Sequence, residues 1–391
     1  MQQAGIRVQG GAGAGVAAAG MLLIAATYGM ARFGVGLFAP ALSASRPQLV
    51  DVLGWAAAAQ FTSYSLAALA AARLVDRYPR TGLVLAGATA TAGCLGVAVA
   101  TDPMMFILAV LVGGLGGGFA SPALVPVIDA LVKPEAAATA QSVANAGTAV
   151  GVIGAGVVVF AVPSVGAAWV LMALICAGSA AAALYPVRSR NALAVRPGSQ
   201  TARQEETSGP LAWRALLLPA AAALVVGAGS SLTWTFGPLL VTGAGAVSGG
   251  QVGWLWIALG AGGLLGTFTG HLVKRIGLHS GWCACAGLLA LATAAVGLSV
   301  ATANTAAAYA GMAVFGAGYM AMSAVLILWA RSAWPQDAGA GTSVLFIALA
   351  TGQALGSAAI GAADWSPVAL AAAATAFCAA GGTAALVRKR S

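Results

Sequence analysis

Charge is what this sequence has least of. Of 391 residues nine are acidic and eighteen basic, so charged side chains make up 7% of the chain. That is too little polar surface to cover a soluble globule. With 60% hydrophobic residues and a mean hydropathy of +0.92, the composition excludes a water-soluble fold and indicates a polytopic membrane protein. Histidine is nearly missing, with two residues, and the five cysteines (Cys94, Cys176, Cys283, Cys285, Cys378) all lie in apolar runs. Cys283-Ala284-Cys285 has neither metal-site spacing nor a histidine pair beside it, so the cysteines read as small core residues and neither metal nor cofactor is expected. No His/Asp/Ser constellation suggests an enzyme. The Gly-rich runs Gly113 to Gly118 and Gly260 to Gly266 lack the following Lys-Ser/Thr of a phosphate loop, which leaves close helix packing as their reading and removes ATP as an energy source. The net charge of +9 would suit nucleic acid only if basic residues clustered with aromatics on a soluble face. They do not, and no nucleic-acid partner is expected.

What is present is a series of apolar runs. Cutting at charges, prolines and polar clusters predicts twelve spans, at 17–42, 50–73, 81–100, 103–128, 138–161, 166–187, 213–241, 249–273, 280–300, 304–330, 339–361 and 366–387. Each approaches or exceeds the roughly 20 residues that cross a bilayer core. The fold class expected is an all-α membrane protein of twelve transmembrane helices. Arg7, Arg73, Arg77, Arg80, Lys133, Arg188, Arg190, Arg196, Arg203, Arg214, Lys274, Arg275, Arg331, Arg388, Lys389 and Arg390 fall on one side of these spans, and Arg46 alone on the other. The excess of basic loops marks the cytoplasmic side, which places both termini in the cytoplasm. The expected location is the cytoplasmic (inner) membrane of a bacterium.

The chain also repeats itself. Pro40 and Pro238 close the first and seventh spans, Leu53-Gly54-Trp55 and Val252-Gly253-Trp254 open the second and eighth, and Gly114-Leu115-Gly116 matches Gly316-Ala317-Gly318 in the fourth and tenth. The offset stays near two hundred residues, the mark of a parallel repeat with a substrate site between the halves. The organisation expected is a cytoplasmic N-terminus at 1–16, a six-helix bundle at 17–187, a polar cytoplasmic linker at 188–212, a second six-helix bundle at 213–387 and a C-terminal tail at 388–391. A pseudo-two-fold axis would relate the bundles.

Between spans two and three, Ala72, Leu74, Asp76, Arg77, Pro79 and Arg80 stand where the major facilitator superfamily carries Gly-x-Leu-x-Asp-Arg-x-Gly-Arg. The second half keeps Gly270, Arg275 and Gly277, with Lys274 in the acidic place. From about Met21 to Arg390 the chain resembles that superfamily. The resemblance implies two helix bundles rocking about a central site. Multidrug proton antiporters of the superfamily carry an arginine in span four, where this chain reads Leu108-Ala109-Val110-Leu111-Val112, and a Gly-Pro pattern in span five, where Gly147 to Val152 has no proline. The spacing of Arg32 to Pro40 is similar to that of organophosphate antiporters, whose arginine binds phosphate; the symmetric place in span seven holds Ser230.

One residue breaks the apolar rule. Arg32 lies inside an otherwise uncharged run from Met21 to Leu42, where a guanidinium costs at least about 2.5–3.5 kcal/mol and normally faces a polar interior. On an α-helix its face would carry Ala25, Tyr28, Gly29, Gly36 and Ala39, with Met30, Phe33 and Leu37 turned elsewhere. Spans two, five, seven, ten and eleven hold the other mid-membrane polar residues, which makes Arg32, Tyr28, Gln60, Tyr64, Asn145, Ser230, Trp234, Tyr319 and Gln353 the substrate-binding candidates, with Gln141 and Thr148 beside Asn145. Asp76, Arg77, Arg80, Asp129, Lys274, Arg275 and Arg331 form the expected cytoplasmic gate, in which Asp129 would join Asp76, Arg77 and Arg331 in charge pairs. Trp254 and Trp256 read as residues of the interfacial aromatic belt. The function expected is secondary active transport of a small organic solute, anionic or amphipathic, across the inner membrane by alternating access. The alternatives are a drug or metabolite efflux pump of the proton-antiport type and a transporter-like receptor without flux. The partners expected are the solute, the lipid bilayer and a coupling proton or counter-substrate, with the chain acting as a monomer.

Overall fold

A computed structural model describes residues 5–75, 77–162, 164–188 and 212–383. Asp76, nearly all of the 188–212 linker and the 388–391 tail lie outside the described residues. Helices occupy every one of the predicted runs, and among the described residues there is no strand. The first run holds α1 (Gly5–Ile24), a π-helical stretch (Ala25–Arg32) and α2 (Gly34–Ser45); the short α3 (Pro47–Val50) follows. Then come α4 (Leu53–Leu74), α5 (Pro79–Val99), α6 (Pro103–Leu131), α7 (Pro134–Ala161) and α8 (Val165–Leu184). The second half begins with α9 (Leu217–Ser231), a π-helical stretch (Leu232–Phe236) and α10 (Gly237–Gly243). It continues through α11 (Val252–Leu264), α12 (Thr269–Ile276), α13 (Leu278–Thr302), α14 (Thr305–Ala333), α15 (Ala338–Ala362) and α16 (Pro367–Thr383).

Among the described residues nine helices are long and apolar enough to cross a membrane, and the pair Gly249–Leu264 and Thr269–Ile276, bent by 51°, makes a tenth. α4 and α16 are not among them. α4 carries Gln60, Thr62, Ser63, Tyr64 and Ser65, which lower its hydropathy, and α16 has only 17 residues.

The polar residues that punctuate the sequence start the helices. Asp102, Ser164, Asn304 and Asp337 accept hydrogen bonds from the backbone N–H groups of Met105, Ala167, Ala307 and Ala340, satisfying donors that a helix start leaves free. Arg46, the lone basic residue on its side, donates from Nη1 to the carbonyls of Val97 (3.3 Å), Ala98 (3.4 Å) and Ala100 (2.7 Å), closing the C-terminal end of α5.

Glycine holds the bundles together, because only a missing Cβ lets helix backbones touch. Gly29 lies on Gly151 in the first half as Gly227 lies on the Leu349 carbonyl in the second. Gly114 lies on the Gln60 carbonyl as Gly316 lies on that of Leu259. Matching contacts thus recur about two hundred residues apart, as a parallel repeat requires. Two further glycine pairs join the halves at the arginine-poor ends of their helices. A methyl carbon on Gly54 would fall 2.8 Å from the Gly361 Cα, and one on Gly253 would fall 2.5 Å from the Gly156 carbonyl oxygen. Gly54 and Gly253 belong to the repeated Leu-Gly-Trp and Val-Gly-Trp triplets. Trp55 and Trp254 follow them and are both exposed on the helix surface.

The buried apolar side chains report the same asymmetry. One cluster runs through both halves, from Phe38 and Leu53 to Trp234, Leu255 and Ala354, and in the second half continues to Leu216 and Trp329 at the arginine-rich end. At the arginine-rich end the first half has a cluster of its own, from Val16 and Ala71 to Leu124 and Ala183, with no member from the second half. At the arginine-rich end the buried side chains of the first half thus join none from the second.

Replacing Gly54 or Gly253 with leucine is expected to hold the halves apart where they now meet. Cysteines introduced at Thr235 or Ser357, both buried here, should then react several-fold faster with an impermeant maleimide added from the arginine-poor side. An unchanged labelling rate would show that these glycines do not bring the halves together.

Candidate functional site

The site begins with a change of helix type. Between Ala25 and Arg32 the first span winds as a π-helix, whose wider turns place residues five apart, rather than three or four apart, on one face. Tyr28 and Phe33 therefore come together, their ring centroids 6.2 Å apart. Phe33, placed by α-helical spacing away from the arginine, has its ring centroid 5.1 Å from the guanidinium carbon. The small-residue face expected around Arg32 is corrected in the same way: Gly29 is occupied by Gly151 and Gly36 by the Trp234 carbonyl. Pro238 supplies no N–H to that carbonyl four residues back, which leaves it open to the close approach.

Aromatic rings surround the charge instead. The Arg32 guanidinium carbon lies 3.9 Å from the Tyr64 ring centroid, 4.7 Å from Tyr28 and 5.1 Å from Phe61. Gln60, Phe61 and Tyr64 share a face of α4, so Phe61 was open to prediction from helical spacing, whereas Phe33 was not. Arg32 is 3% exposed, and its Nε has no hydrogen-bond partner. No carboxylate pairs with it among the described residues. Cation–π contacts contribute about 0.5–2 kcal/mol each and offset part of the desolvation, but a ring does not neutralise a charge.

The second half closes over this group with more rings. Trp234 stacks on Phe33 at 3.8 Å and 14°, while Tyr319 meets Trp234 edge-on at 5.1 Å and Phe33 at 6.3 Å. Tyr319 accepts a hydrogen bond on its hydroxyl from Gln353 Nε2 at 3.1 Å, which leaves Gln353 Oε1 free. Trp256 is fully buried against Trp234 at 6.1 Å and is no belt residue; helical spacing on α11 carries it inward while Trp254 stays exposed beside Phe160. A cavity of about 220 Å³ of empty space is lined by Arg32, Phe33, Val35, Gly36, Ala57, Gln60, Phe61, Trp234 and Thr235, with unobstructed room for about one water. Three polar atoms on its lining side chains are buried without partners: Arg32 Nε, Gln60 Nε2 and Trp234 Nε1. All are donors.

Seven of the nine sequence candidates thus gather around one point: Arg32, Tyr28, Gln60, Tyr64, Trp234, Tyr319 and Gln353. Two do not. Ser230 is buried and donates back to the Gly227 carbonyl at 2.9 Å, and Asn145 is exposed, accepting a hydrogen bond from Gln141 at 3.2 Å. Of the gate residues, Arg77, Arg80, Asp129, Lys274, Arg275 and Arg331 are all exposed. No ion pair joins them among the described residues, so the expected Asp129 pairs with Arg77 and Arg331 are not formed in this conformation.

A family model described as Major Facilitator Superfamily matches residues 21–357. Among solved structures, the chain is similar to a mutant of the nucleoside transporter NupG, with a TM-score of 0.70 over 95% of this chain and 99% of that one, at 11% sequence identity. At that identity the likeness is one of fold. No curated protein matches the sequence.

An arginine that holds helices together would be missed when removed. One that sits buried without a counter-charge would not, because its loss also removes a desolvation cost. Arg32→Met is expected to leave the melting temperature of the purified protein equal to or above that of the parent. A fall of several degrees, with poor insertion, would make Arg32 a structural residue.

Proposed function

Because the chain belongs to the major facilitator superfamily, a family of secondary transporters, we propose that it moves a small anionic or electron-rich organic solute by alternating access, with Arg32 as the residue that selects it. The observation that carries this reading is the guanidinium itself: buried, caged by rings and without an acidic partner among the described residues. A planar fork of donors suits carboxylate or phosphate oxygens, and in a partly dehydrated cavity a charge-assisted contact is stronger than in water. Gln60 and Trp234 add unpartnered donors at the same cavity. Tyr28, Tyr64, Tyr319 and Gln353 complete the surround.

The basic loops orient the molecule with its termini and the 188–212 linker in the cytoplasm of a bacterium, acting as a monomer in the inner membrane. In that orientation the halves are shut at the outer end and parted at the inner one. Rocking the other way would bring the exposed charges at the inner ends of the bundles, Asp129 and Arg331 among them, within pairing distance, and Asp76 would act with Arg77 and Arg80 as the hinge of that gate. Apolar runs with no Asp or Glu at mid-membrane leave coupling to the solute's own ionisation or to a counter-substrate.

Reconstituted into liposomes with a nucleotide-free interior, the protein should catalyse flux of organic anions. Arg32→Lys keeps the charge but loses the fork, so it should weaken transport about tenfold or more; Arg32→Ala should weaken it further. Affinity for every transported solute unaffected by Arg32→Ala would remove the site and leave the transporter. A phosphatase fused after Arg188 should be inactive, and an active one would reverse the orientation.

A further inference from the structure

Resting on the reading of Arg32 as the anion contact, we propose that the solute is a planar aromatic acid whose ring enters between Phe33 and Trp234. These two rings come from opposite halves of the molecule and lie face to face, 3.8 Å apart at 14°, both buried. Aromatic pairs prefer offset or edge-on arrangements with centroids about 4.5–7 Å apart. Every other ring on Trp234 obeys that preference: Phe315 at 5.4 Å, Tyr319 at 5.1 Å and Trp256 at 6.1 Å are all edge-on. The Phe33–Trp234 sandwich is the exception, and it sits on the seam along which the halves must part.

The cavity beside Arg32 has room for about one water, so no organic solute fits while the sandwich is closed. Widening the seam by one ring thickness, about 3.5 Å, admits a flat ring that replaces one face-to-face contact by two and keeps both side chains out of water. The polar ends are already in place. Arg32 stands 5.1 Å from the Phe33 ring centroid, and the free N–H groups of Gln60 and Trp234 line the same cavity. A carboxylate carried on the inserted ring, or one carbon from it, would meet the unpartnered donors of Arg32, Gln60 and Trp234. An aliphatic acid or inorganic phosphate would satisfy Arg32 but leave two parted aromatic faces uncovered.

The test compares acids of equal charge and differing flatness on the purified full-length protein: 2-naphthoate against decahydronaphthalene-2-carboxylate, with inorganic phosphate as a third probe. Binding is read by tryptophan fluorescence and by melting temperature. The flat acid should bind about tenfold tighter than its saturated counterpart, and Phe33→Leu should bring that ratio towards one. Trp234→Phe keeps a flat face and should retain the ratio, which guards against a fold damaged by substitution. Equal binding of the two acids, tighter binding of phosphate, or a ratio unmoved by Phe33→Leu would overturn the aromatic assignment, and so would no saturable binding by any probe. Arg32-dependent binding without ring preference would sink this inference alone, whereas binding indifferent to Arg32→Ala would sink the proposed anion site as well.

Discussion

The structure depends on one buried charge that meets no carboxylate among the described residues. A guanidinium buried in a hydrocarbon-spanning segment calls for either an acidic partner or a local environment that tolerates it, and this chain supplies the second. Tyr28, Phe33, Phe61 and Tyr64 present ring faces or edges to Arg32, and the one amide nearby, Gln60, has its own donor to spare. Such a site contributes little to stability, because the desolvated charge meets ring faces and no carboxylate among the described residues.

That environment is assembled by breaking regular helix in the first span of each half, a few residues further along in the second half than in the first. The first and seventh spans both turn π-helical near mid-membrane, at Ala25–Arg32 and Leu232–Phe236. The first break swings Phe33 in beside Arg32, and the second carries Trp234 onto it. Straight α-helices would have pointed the same side chains at different neighbours. The breaks survive because glycines on the flanking helices, Gly151 and Gly36 among them, allow backbones to close around the widened turns.

The same absence of side chains that packs the bundles also lets them separate. Within each half the glycine contacts run along whole helix pairs; between the halves they run from the arginine-poor end, Gly54 on Gly361 and Gly253 on Gly156, to mid-membrane, where Gly36 meets the Trp234 carbonyl and Gly260 meets Ala149 and Ile153. Small residues at these contacts leave the two surfaces smooth, so that side chains of one half are not locked between those of the other. Local packing and alternating access thus draw on one physical property, the close approach of bare backbone.

Composition alone determined that the chain lives in a membrane, and the two-hundred-residue repeat determined its division into related bundles, because both follow from apolar length and periodicity that neighbours do not alter. Arg32 was legible for the same reason: a charge in an apolar run stands out whatever surrounds it. Gln60, Tyr64, Trp234, Tyr319 and Gln353 were legible as polar or amphipathic residues on inner spans. What surrounds them was not. Phe33 and Trp256 look like lipid-facing or belt residues in sequence, and only the π turns and the approach of the second half place them at the site, whereas Phe61 follows from the α4 face it shares with Gln60 and Tyr64. Ser230 and Asn145 went the other way, since a hydroxyl bonded to its own helix and an amide paired on an exposed face read in sequence like ligand contacts. The face a side chain occupies is set by the local helix pitch, and its partner by a helix two hundred residues away; neither is written in the spacing of the chain itself.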